Sequence, residues 1–347
     1  MFLNPTFSIR SLVAFFLLVI LIAGCNGNPP TALTPAPAQT EIATANVQPP
    51  AEQSSPTPPP AQVWLVIPNG SETTANEIKT WLEDKAVSQN FIFEVHPPSD
   101  LENLPANLRL VIFSGPDAQT SAWEDRFPQT GLIILNDDST EASQNVSVIR
   151  STPILQAFIA GFITTLIAPD FRSGALFNQN DPLLSQLQDG FINGGRYLCG
   201  RCAPVYAPIV FFPQTSTFNP AGEVQDWIAA FDSLHQNRLE TLYLADPFLL
   251  EPQLLEAISR QNVAFLTTQT PAEEWRSQWI ATLQVDRLTA LENAWESWQN
   301  AEPGKVWQAG IRIAEFNPDR LTEGKLNLAL KTLNDLENGW IYPLSIP

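Results

Sequence analysis

Val-Trp-Leu-Val-Ile-Pro-Asn-Gly, residues 63–70, is the stretch of sequence that decides the fold. Its five apolar residues, ended by a Pro-Asn-Gly turn signal, predict a short buried strand. The residues that follow, 72–86, predict a helix that begins near Ser71. The same alternation continues with strands predicted at 91–95, 108–113, 132–135 and 145–149 and a short helix at 119–126. Apolar runs separated by helices are typical of a parallel sheet that is covered on both faces.

The pattern restarts at Thr152-Pro153, where a capping Thr and a first-turn Pro favour a helix that runs to about residue 168. Strands are then predicted at 172–177, 208–212, 241–245 and 263–267, with helices at 181–197, 222–234 and 249–260. Two consecutive β/α series predict an α/β protein of two doubly wound parallel-sheet lobes joined by a hinge. We expect a first lobe at 62–150 and a second at 151–269, and parts of 270–347 are expected to return to each.

Composition limits the possible functions. The folded part, residues 62–347, is too long for one compact core of the usual size, which also favours two lobes. The chain has 36 acidic and 18 basic residues, a formal net charge of −18. Nucleic acid is therefore not an expected partner, because its binding depends on basic patches. The acidity favours cationic or neutral ligands without selecting one.

The amino terminus points to the compartment. Arg10 precedes an apolar run, Leu12 to Ala23, that ends in Ile-Ala-Gly-Cys at residues 22–25 and resembles the lipobox of bacterial lipoprotein signal peptides. The run is shorter than the roughly 20 residues that a spanning helix needs. The resemblance implies that residues 1–24 are removed and that Cys25 is acylated, which would anchor the mature chain outside the cytoplasmic membrane. An ordinary secretory signal with a chance cysteine is the alternative.

The next segment, predicted as a lipidated linker at 25–61, has ten prolines among Thr, Ala, Gln and Ser. Such a composition cannot bury a core, so we expect disorder with polyproline II bias. At about 3.1 Å per residue its full extension would reach on the order of 110 Å. We interpret it as a tether that holds the folded part away from lipid; a low-complexity segment without a length requirement is the alternative.

Three segments carry a resemblance to a family: Gln156–Gly161, Ser173–Leu176 and Gly190–Gly194. Their order resembles that of the basic membrane protein family, the purine-nucleoside-binding lipoproteins of ABC importers, which have a type I periplasmic-binding-protein fold. The loop at 68–72 lacks the family's Asp and its Ser-Phe-Asn-like segment, and Asn178-Gln179 stand where a glycine is usual. The family's nucleoside contacts are therefore not carried over. Either the ligand differs, or the chain has diverged from transport.

Candidate ligand-binding residues follow from strand ends. In open α/β sheets, ligands bind outside the carboxyl ends of the strands, which in a two-lobed protein face the cleft. These ends nominate short polar residues that would suit a neutral polar ligand such as a nucleoside or a sugar. Ordinary turn chemistry is the alternative reading for each of them. The candidates are Asn69, Ser71, Ser114, Asn136 and Asp137 in the first lobe, and Asn178, Gln179, Gln214, Asp246 and Thr268 in the second.

Cys199 and Cys202 are separated by two residues and are expected to form a small-loop disulfide in an exported protein. A redox pair is less favoured because the motif follows a predicted helix instead of opening one. A zinc site would need four ligands, and only His96 and His235 could add imidazole. We therefore expect no metal and no cofactor.

The sequence shows no Gly-x-Ser-x-Gly, Walker or His-Glu-x-x-His motif, and we expect no catalytic residues. The leading prediction is an extracytoplasmic solute-binding lipoprotein that closes on a small polar ligand and delivers it to an ABC permease. A ligand sensor or orphan binding lipoprotein without a permease is the first alternative. A surface hydrolase is the second, since carboxylate pairs such as Asp137-Asp138 are present.

Overall fold

The structure, a computed structural model, describes residues 59–69, 71–137 and 139–344. The predicted signal peptide at 1–24, the lipidation site Cys25 and nearly all of the linker at 25–61 lie outside these residues. Among the helices of the described residues, none combines the length and the apolar character that crossing a membrane requires.

The described residues form twelve strands, eight α-helices and four short 3-10 helices. The strands are β1 Gln62–Val66, β2 Ile92–His96, β3 Leu108–Phe113, β4 Gly131–Leu135, β5 Val146–Arg150, β6 Ser173–Asn178, β7 Gln214–Phe218, β8 Thr241–Leu244, β9 Ala264–Thr267, β10 Trp279–Asp286, β11 Val306–Gln308 and β12 Gly310–Phe316. The helices are α1 Glu72–Gln89, α2 Trp123–Arg126, α3 Pro153–Ile167, α4 Leu184–Cys199, α5 Val224–His235, α6 Pro252–Arg260, α7 Arg287–Gln299 and α8 Glu323–Glu337.

The first sheet has the strand order β11-β5-β4-β3-β1-β2, and every neighbouring pair is parallel. Side chains alternate between the faces of a strand, so β1 contributes to two cores. Val63 and Leu65 pack with residues of α1 and α7, such as Leu291. Trp64 and Val66 pack in a separate core on the other face. We call this sheet, with α1, α2 and α7, lobe 1.

The second sheet has the order β12-β10-β9-β8-β6-β7, in which only the β10–β12 pair is antiparallel. Phe162 of α3 and Phe191 of α4 pack against one face. Phe231 of α5 and Leu255 of α6 pack against the other. This sheet with α3, α4, α5, α6 and α8 is lobe 2. The predicted fold class, two α/β lobes with parallel sheets, is confirmed.

Two glycines let α3 and α4 approach until their backbones touch. A β-carbon at Gly161 would lie 1.9 Å from the carbonyl oxygen of Phe191. A β-carbon at Gly194 would lie 1.8 Å from the carbonyl oxygen of Phe158. Glycine is the residue that permits such an approach. Gly161 and Gly194 lie in two of the three segments on which the resemblance to the basic membrane protein family is based, and here they serve helix packing.

Within its described residues the chain passes between the lobes three times: from β5 to α3, from β10 to α7 and from β11 to β12. We call these three passages the hinge crossings. The backbone N–H of Ala309 donates to the carbonyl oxygen of Arg150 at 2.9 Å. The Thr152 hydroxyl donates to the Ala309 carbonyl oxygen at 2.8 Å. The first and third crossings are thereby bonded to each other, while β10 and β12 pair as far as Asp286 and Gly310.

The strand predicted at 208–212 is wrong. The strand of this region is β7, which begins at Gln214 and pairs with β6. Pro208 and Pro213 bracket the predicted strand, and proline has no N–H to donate to a sheet. Phe212 is buried, whereas Ile209 and Phe211 are exposed, so the apolar run forms a loop over the core instead of a strand within it.

Candidate ligand-binding cleft

A cavity of about 520 Å³ lies where the two lobes meet the hinge crossings. We call it the interlobe cavity. Both lobes contribute to its walls: α1 and α7 from lobe 1, and α3, β10, β12 and the loops after β8 and β9 from lobe 2. Its lining residues are Thr74, Glu77, Gln156, Ala245, Pro247, Thr268, Gln269, Leu283, Gln284, Val285, Arg287 and Arg312.

A smaller cavity of about 90 Å³ shares Gln156 and Ala245 with the interlobe cavity. Asn178 is the last residue of β6, and Asp246 lies just after the end of β8; both line this smaller cavity. The Asp246 carboxylate accepts a hydrogen bond from the backbone N–H of Phe248 at 3.0 Å, which fixes the turn after β8. The smaller cavity therefore extends the polar surface of the cleft into lobe 2.

Arg287 is the first residue of α7 and lines the interlobe cavity. Its Nε donates to the Asn136 side-chain oxygen at 2.9 Å, so a loop of lobe 1 orients the guanidinium. Burial lowers the pKa of the Arg287 guanidinium below its usual value, and the negative charge of Glu77 offsets part of that change. The site thus holds a partly desolvated cation.

Glu77 and Arg312 connect the lobes across the cavity. An Oε1 atom of Glu77 on α1 lies 3.8 Å from an Nη2 atom of Arg312 on β12. The same Nη2 donates to the Gln284 side-chain oxygen at 2.9 Å. Both members of the ion pair are partly exposed, with side-chain exposures of 35% for Glu77 and 49% for Arg312. Such a pair contributes about 1 kcal/mol or less.

Neutral hydrogen-bonding groups complete the walls. The Gln156 amide nitrogen donates to the carbonyl oxygen of Leu283 at 2.9 Å, which leaves its side-chain oxygen as an acceptor. The Thr268 hydroxyl oxygen is buried and has no hydrogen-bond partner among the described residues. The arrangement offers two guanidinium groups, one carboxylate, amides and a hydroxyl to a ligand, a set that suits a compact polar molecule.

The predicted site residues divide into several groups. Thr268 lines the interlobe cavity, and Asn178 and Asp246 line the smaller one. Asn136 belongs to the site through its bond to Arg287. Gln179 is exposed just after β6 and is not among the lining residues of either cavity.

In lobe 1, the predicted Ser71 and Ser114 meet, with hydroxyl oxygens 2.6 Å apart. The Ser71 hydroxyl also donates to the Pro68 carbonyl oxygen at 2.8 Å. These bonds join the loops after β1 and β3, and neither serine lines the two cleft cavities. Asn69 is exposed in the first of these loops. The contacts of both serines are those of loop residues.

Asp137 is buried, and its carboxylate accepts hydrogen bonds within its own loop from Ser139 and Thr140. Burial raises the pKa of the Asp137 carboxyl, but the hydrogen bonds from Ser139 and Thr140 together outweigh it, and the net pKa is lowered. These contacts favour the turn interpretation of Asp137 over a ligand contact.

The incorrect prediction of a strand at 208–212 led us to expect Gln214 at the carboxyl end of that strand. It is the first residue of β7, so it lies at the amino end of the sheet, away from the cleft. Its side-chain oxygen accepts from the Asn237 amide at 2.9 Å. This contact ties the start of β7 to the beginning of the segment that follows α5.

A further cavity, of about 360 Å³, lies in lobe 1 and is lined by Asp117, Glu124, Ser139 and Thr140 among others. Its lining residues all come from lobe 1: from the segment after β3, which includes α2, from the loop after β4 and from the start of β5. Hinge motion would not close it, because both walls belong to one lobe. The interlobe cavity is therefore the better candidate for a ligand.

Sequence reasoning missed Glu77, Gln156, Arg287 and Arg312, because it searched only the loops after strands. Glu77 and Gln156 lie within helices, and Arg312 lies within β12. A usable signal exists for Arg287, which directly follows Asp286 at the carboxyl end of β10. The rule about strand ends was applied only up to residue 269, because residues 270–347 were not assigned to a lobe, and so it did not reach Arg287.

Cys199 and Cys202 form a close disulfide pair at the end of α4, with Cα atoms 5.0 Å apart. Neither is among the lining residues of the interlobe cavity. Within the part of the chain that the structure describes, no three His, Cys, Asp or Glu residues are grouped as a metal site would require.

No protein-family model matches the chain, and no curated protein matches it. Similar solved structures do exist. A solute-binding protein of an ABC transporter system from Conexibacter woesei superposes with a TM-score of 0.63 at 14% identity, covering 83% of this chain and 98% of that one. A transcriptional activator of the comK gene from Bacillus halodurans gives 0.61 at 11% identity, covering 82% and 99%.

A third similar structure is a carbohydrate transporter solute-binding protein from Agrobacterium radiobacter, in complex with D-arabinose. It gives a TM-score of 0.50 at 9% identity and covers 79% of this chain and 99% of that one. Identities this low establish the fold, the periplasmic-binding-protein-like arrangement of two lobes, and nothing finer. These three neighbours are solute-binding proteins and a regulator rather than enzymes. The resemblance to the basic membrane protein family stays a prediction.

Proposed function

We propose that this chain is an extracytoplasmic solute-binding lipoprotein that holds a small polar ligand in the interlobe cavity and delivers it to an ABC permease. The observation that carries the proposal is the cavity of about 520 Å³ walled by both lobes and the hinge crossings. Ligand pockets commonly measure about 300–1,000 Å³ and are often found between domains. The similar solute-binding structures support the same function.

Ligand binding would work by closure about the hinge crossings. A ligand stabilises the closed form only by contacts that it makes better there than in the open form. The interlobe cavity meets this condition because Glu77 and Arg287 belong to lobe 1, whereas Thr268 and Arg312 belong to lobe 2. A ligand touching both walls gains contacts when the lobes approach.

The proposed ligand is sugar-like or nucleoside-like, because the walls offer amides, a hydroxyl and charged groups in a small volume. The D-arabinose complex of the Agrobacterium protein favours a sugar. The proposal includes acylation of Cys25, attachment to the membrane through that lipid and the linker at 25–61 as tether. These elements rest on the sequence.

Two matched substitutions test the role of the cavity. Gln269 lines the interlobe cavity after β9, and Gln261 lies before β9 at the opposite end of the same strand; both are exposed. We expect at least one member of a panel of sugars and nucleosides to raise the melting temperature of the full chain in detergent micelles. Gln269→Trp should abolish that rise by filling the cavity, whereas Gln261→Trp should leave it unchanged.

The proposal is wrong if no panel member alters the melting temperature. It is also wrong if the two tryptophan variants respond to the ligand alike, because then the ligand binds elsewhere. Far-UV circular dichroism of both variants controls for misfolding.

A further inference from the structure

The charge of the interlobe cavity is opposite in sign to that of the protein. The chain carries a net charge of −18. The charged residues that line the interlobe cavity itself are Arg287, Arg312 and Glu77, which leaves an excess of one positive charge there, while Asp181 and Asp246 line the adjoining smaller cavity. Basic residues are outnumbered two to one by acidic residues in the chain, so two arginines in one cavity are notable. The net charge of the whole chain favours cationic or neutral ligands, whereas the charged lining residues of this cavity favour an anionic one.

The position of Arg287 favours a further anion beyond Glu77. It is the first residue of α7, where the helix dipole presents positive charge. The Asp286 carboxylate is engaged in capping α7 through the backbone N–H of Thr289 at 3.2 Å. Among the described residues, the one acceptor of a hydrogen bond from Arg287 is the neutral amide of Asn136. A partly buried cation in this place would be stabilised by an anionic ligand.

Glu77 supplies the one carboxylate among the lining residues of the interlobe cavity. Its carboxylate lies 3.8 Å from Arg312 and also interacts electrostatically with Arg287. At 3.8 Å and with partial exposure on both sides, the pair is not a tight one. The guanidinium groups therefore keep capacity for a second carboxylate, and charge-assisted bonds from arginine to carboxylate are strong when desolvated.

We propose that the ligand of the interlobe cavity carries a carboxylate, as a sugar acid does, and that Arg287 and Arg312 bind this group. The excess of one positive charge matches a monoanion better than a phosphate dianion. The inference rests on the proposed function, since it concerns the ligand of the same cavity.

Two pairs of probes isolate the carboxylate: D-glucuronate against D-glucose, and D-galacturonate against D-galactose. Within each pair the molecules differ only in a carboxylate replacing a hydroxymethyl group. Isothermal titration calorimetry of the full chain in detergent micelles should give at least one acid a dissociation constant about tenfold or more below that of its neutral partner. Neutral sugars that bind as well as their acids would overturn the proposal and leave the proposed function standing.

Three substitutions assign the effect to the cavity. Arg287→Gln should weaken binding of the acid about tenfold or more and change binding of the neutral sugar less than about threefold. Glu77→Gln should strengthen binding of the acid, because it removes a competing carboxylate. Arg109→Gln, which makes the same charge change at the one exposed position of β3, should alter the binding of neither the acid nor the neutral sugar. If Arg287→Gln does not fold, Arg312→Gln takes its place with the same expectation.

Equal weakening of acid and neutral sugar by Arg287→Gln would overturn the proposal, since the arginine would then act on the shared sugar ring. Failure of all four probes to bind would overturn the sugar-acid assignment. The proposed function would then be decided separately by the Gln269→Trp and Gln261→Trp comparison on the wider panel.

Discussion

Replacing Gly194 by alanine should destabilise lobe 2. The added β-carbon would fall 1.8 Å from the carbonyl oxygen of Phe158 and 3.0 Å from the backbone nitrogen of Phe162. The obstacle is backbone, so no side-chain rotation relieves it, and α3 and α4 must separate by about 1.2 Å to bring the shorter contact to 3.0 Å. Overpacking of this kind costs up to about 3 kcal/mol. The higher helix propensity of alanine offsets about 1 kcal/mol of this cost, so the free energy of unfolding should fall by about 2 kcal/mol.

The matched control is Gly324→Ala in the first turn of α8. No heavy atom lies within 4 Å of a β-carbon there, so the variant gains helix propensity without a clash. We expect a gain of about 0.5 kcal/mol. At about 2–4 °C per kcal/mol, Gly194→Ala should lower the melting temperature by about 4–8 °C and Gly324→Ala should raise it slightly. Thermal unfolding followed by circular dichroism measures both. A Gly194→Ala protein that melts at or above the wild-type temperature would refute the packing argument.

Asp137→Asn should make the free energy of unfolding less dependent on pH in the acid range. Because the pKa of the Asp137 carboxyl is lowered in the folded protein, its stabilising contribution is complete above the ordinary pKa of 3.8. That contribution is lost as the pH falls through the lowered pKa. Urea unfolding from neutral to acid pH should therefore show the wild type and the variant converging, and parallel pH profiles would contradict this. Replacing Cys199 and Cys202 together by alanine should cost about 2 kcal/mol, the loop-closure estimate for a four-residue loop. An unchanged urea midpoint for that variant would show that the disulfide adds no stability.

The alternation of strands and helices within each lobe could be predicted because the central strands are buried on both faces. Strands such as β4 are buried along their whole length and therefore appear in the sequence as unbroken apolar runs. The places of the later strands could not be predicted in the same way. β11 pairs with β5, so that Val306 lies beside Val148, and nothing local in the sequence encodes a partner that distant. Sheet membership there depends on long-range packing.

The apolar run at 208–212 was misread for the opposite reason. Its composition fits a strand, but the prolines at 208 and 213 withhold the N–H groups that a central ladder needs. The polar sequence Gln-Thr-Ser-Thr-Phe of β7 looks like a loop, yet it forms the edge strand beside β6. An edge strand is half solvated and need not be apolar. Because the strand begins at Gln214 instead of ending before it, Gln214 lies at the opposite end of the sheet from the one predicted.

The candidate site was only partly predictable from the rule about strand ends. The rule led to Thr268, Asn178 and Asp246, because the loops after β9, β6 and β8 do border the cleft cavities. It could not lead to Glu77, which lies inside α1, since the side of a helix that faces another lobe depends on how the lobes are set against each other. Local sequence patterns do not predict how the two lobes are placed relative to each other.

The positions of Arg287 and Arg312 determine how binding of a charged ligand would favour closure of the two lobes. Arg287 follows the second hinge crossing on the side of lobe 1, and Arg312 follows the third on the side of lobe 2. A carboxylate bound by both would link the lobes next to the segments about which they turn. In the structure Glu77 makes the corresponding link to Arg312, but this exposed pair is worth about 1 kcal/mol or less, too little to hold the lobes together alone. Starting from equal populations of open and closed molecules, a closed fraction above 90% requires more than about 1.3 kcal/mol. Under the proposal, a ligand carboxylate bound by both arginines would supply the remaining closing free energy through charge-assisted hydrogen bonds.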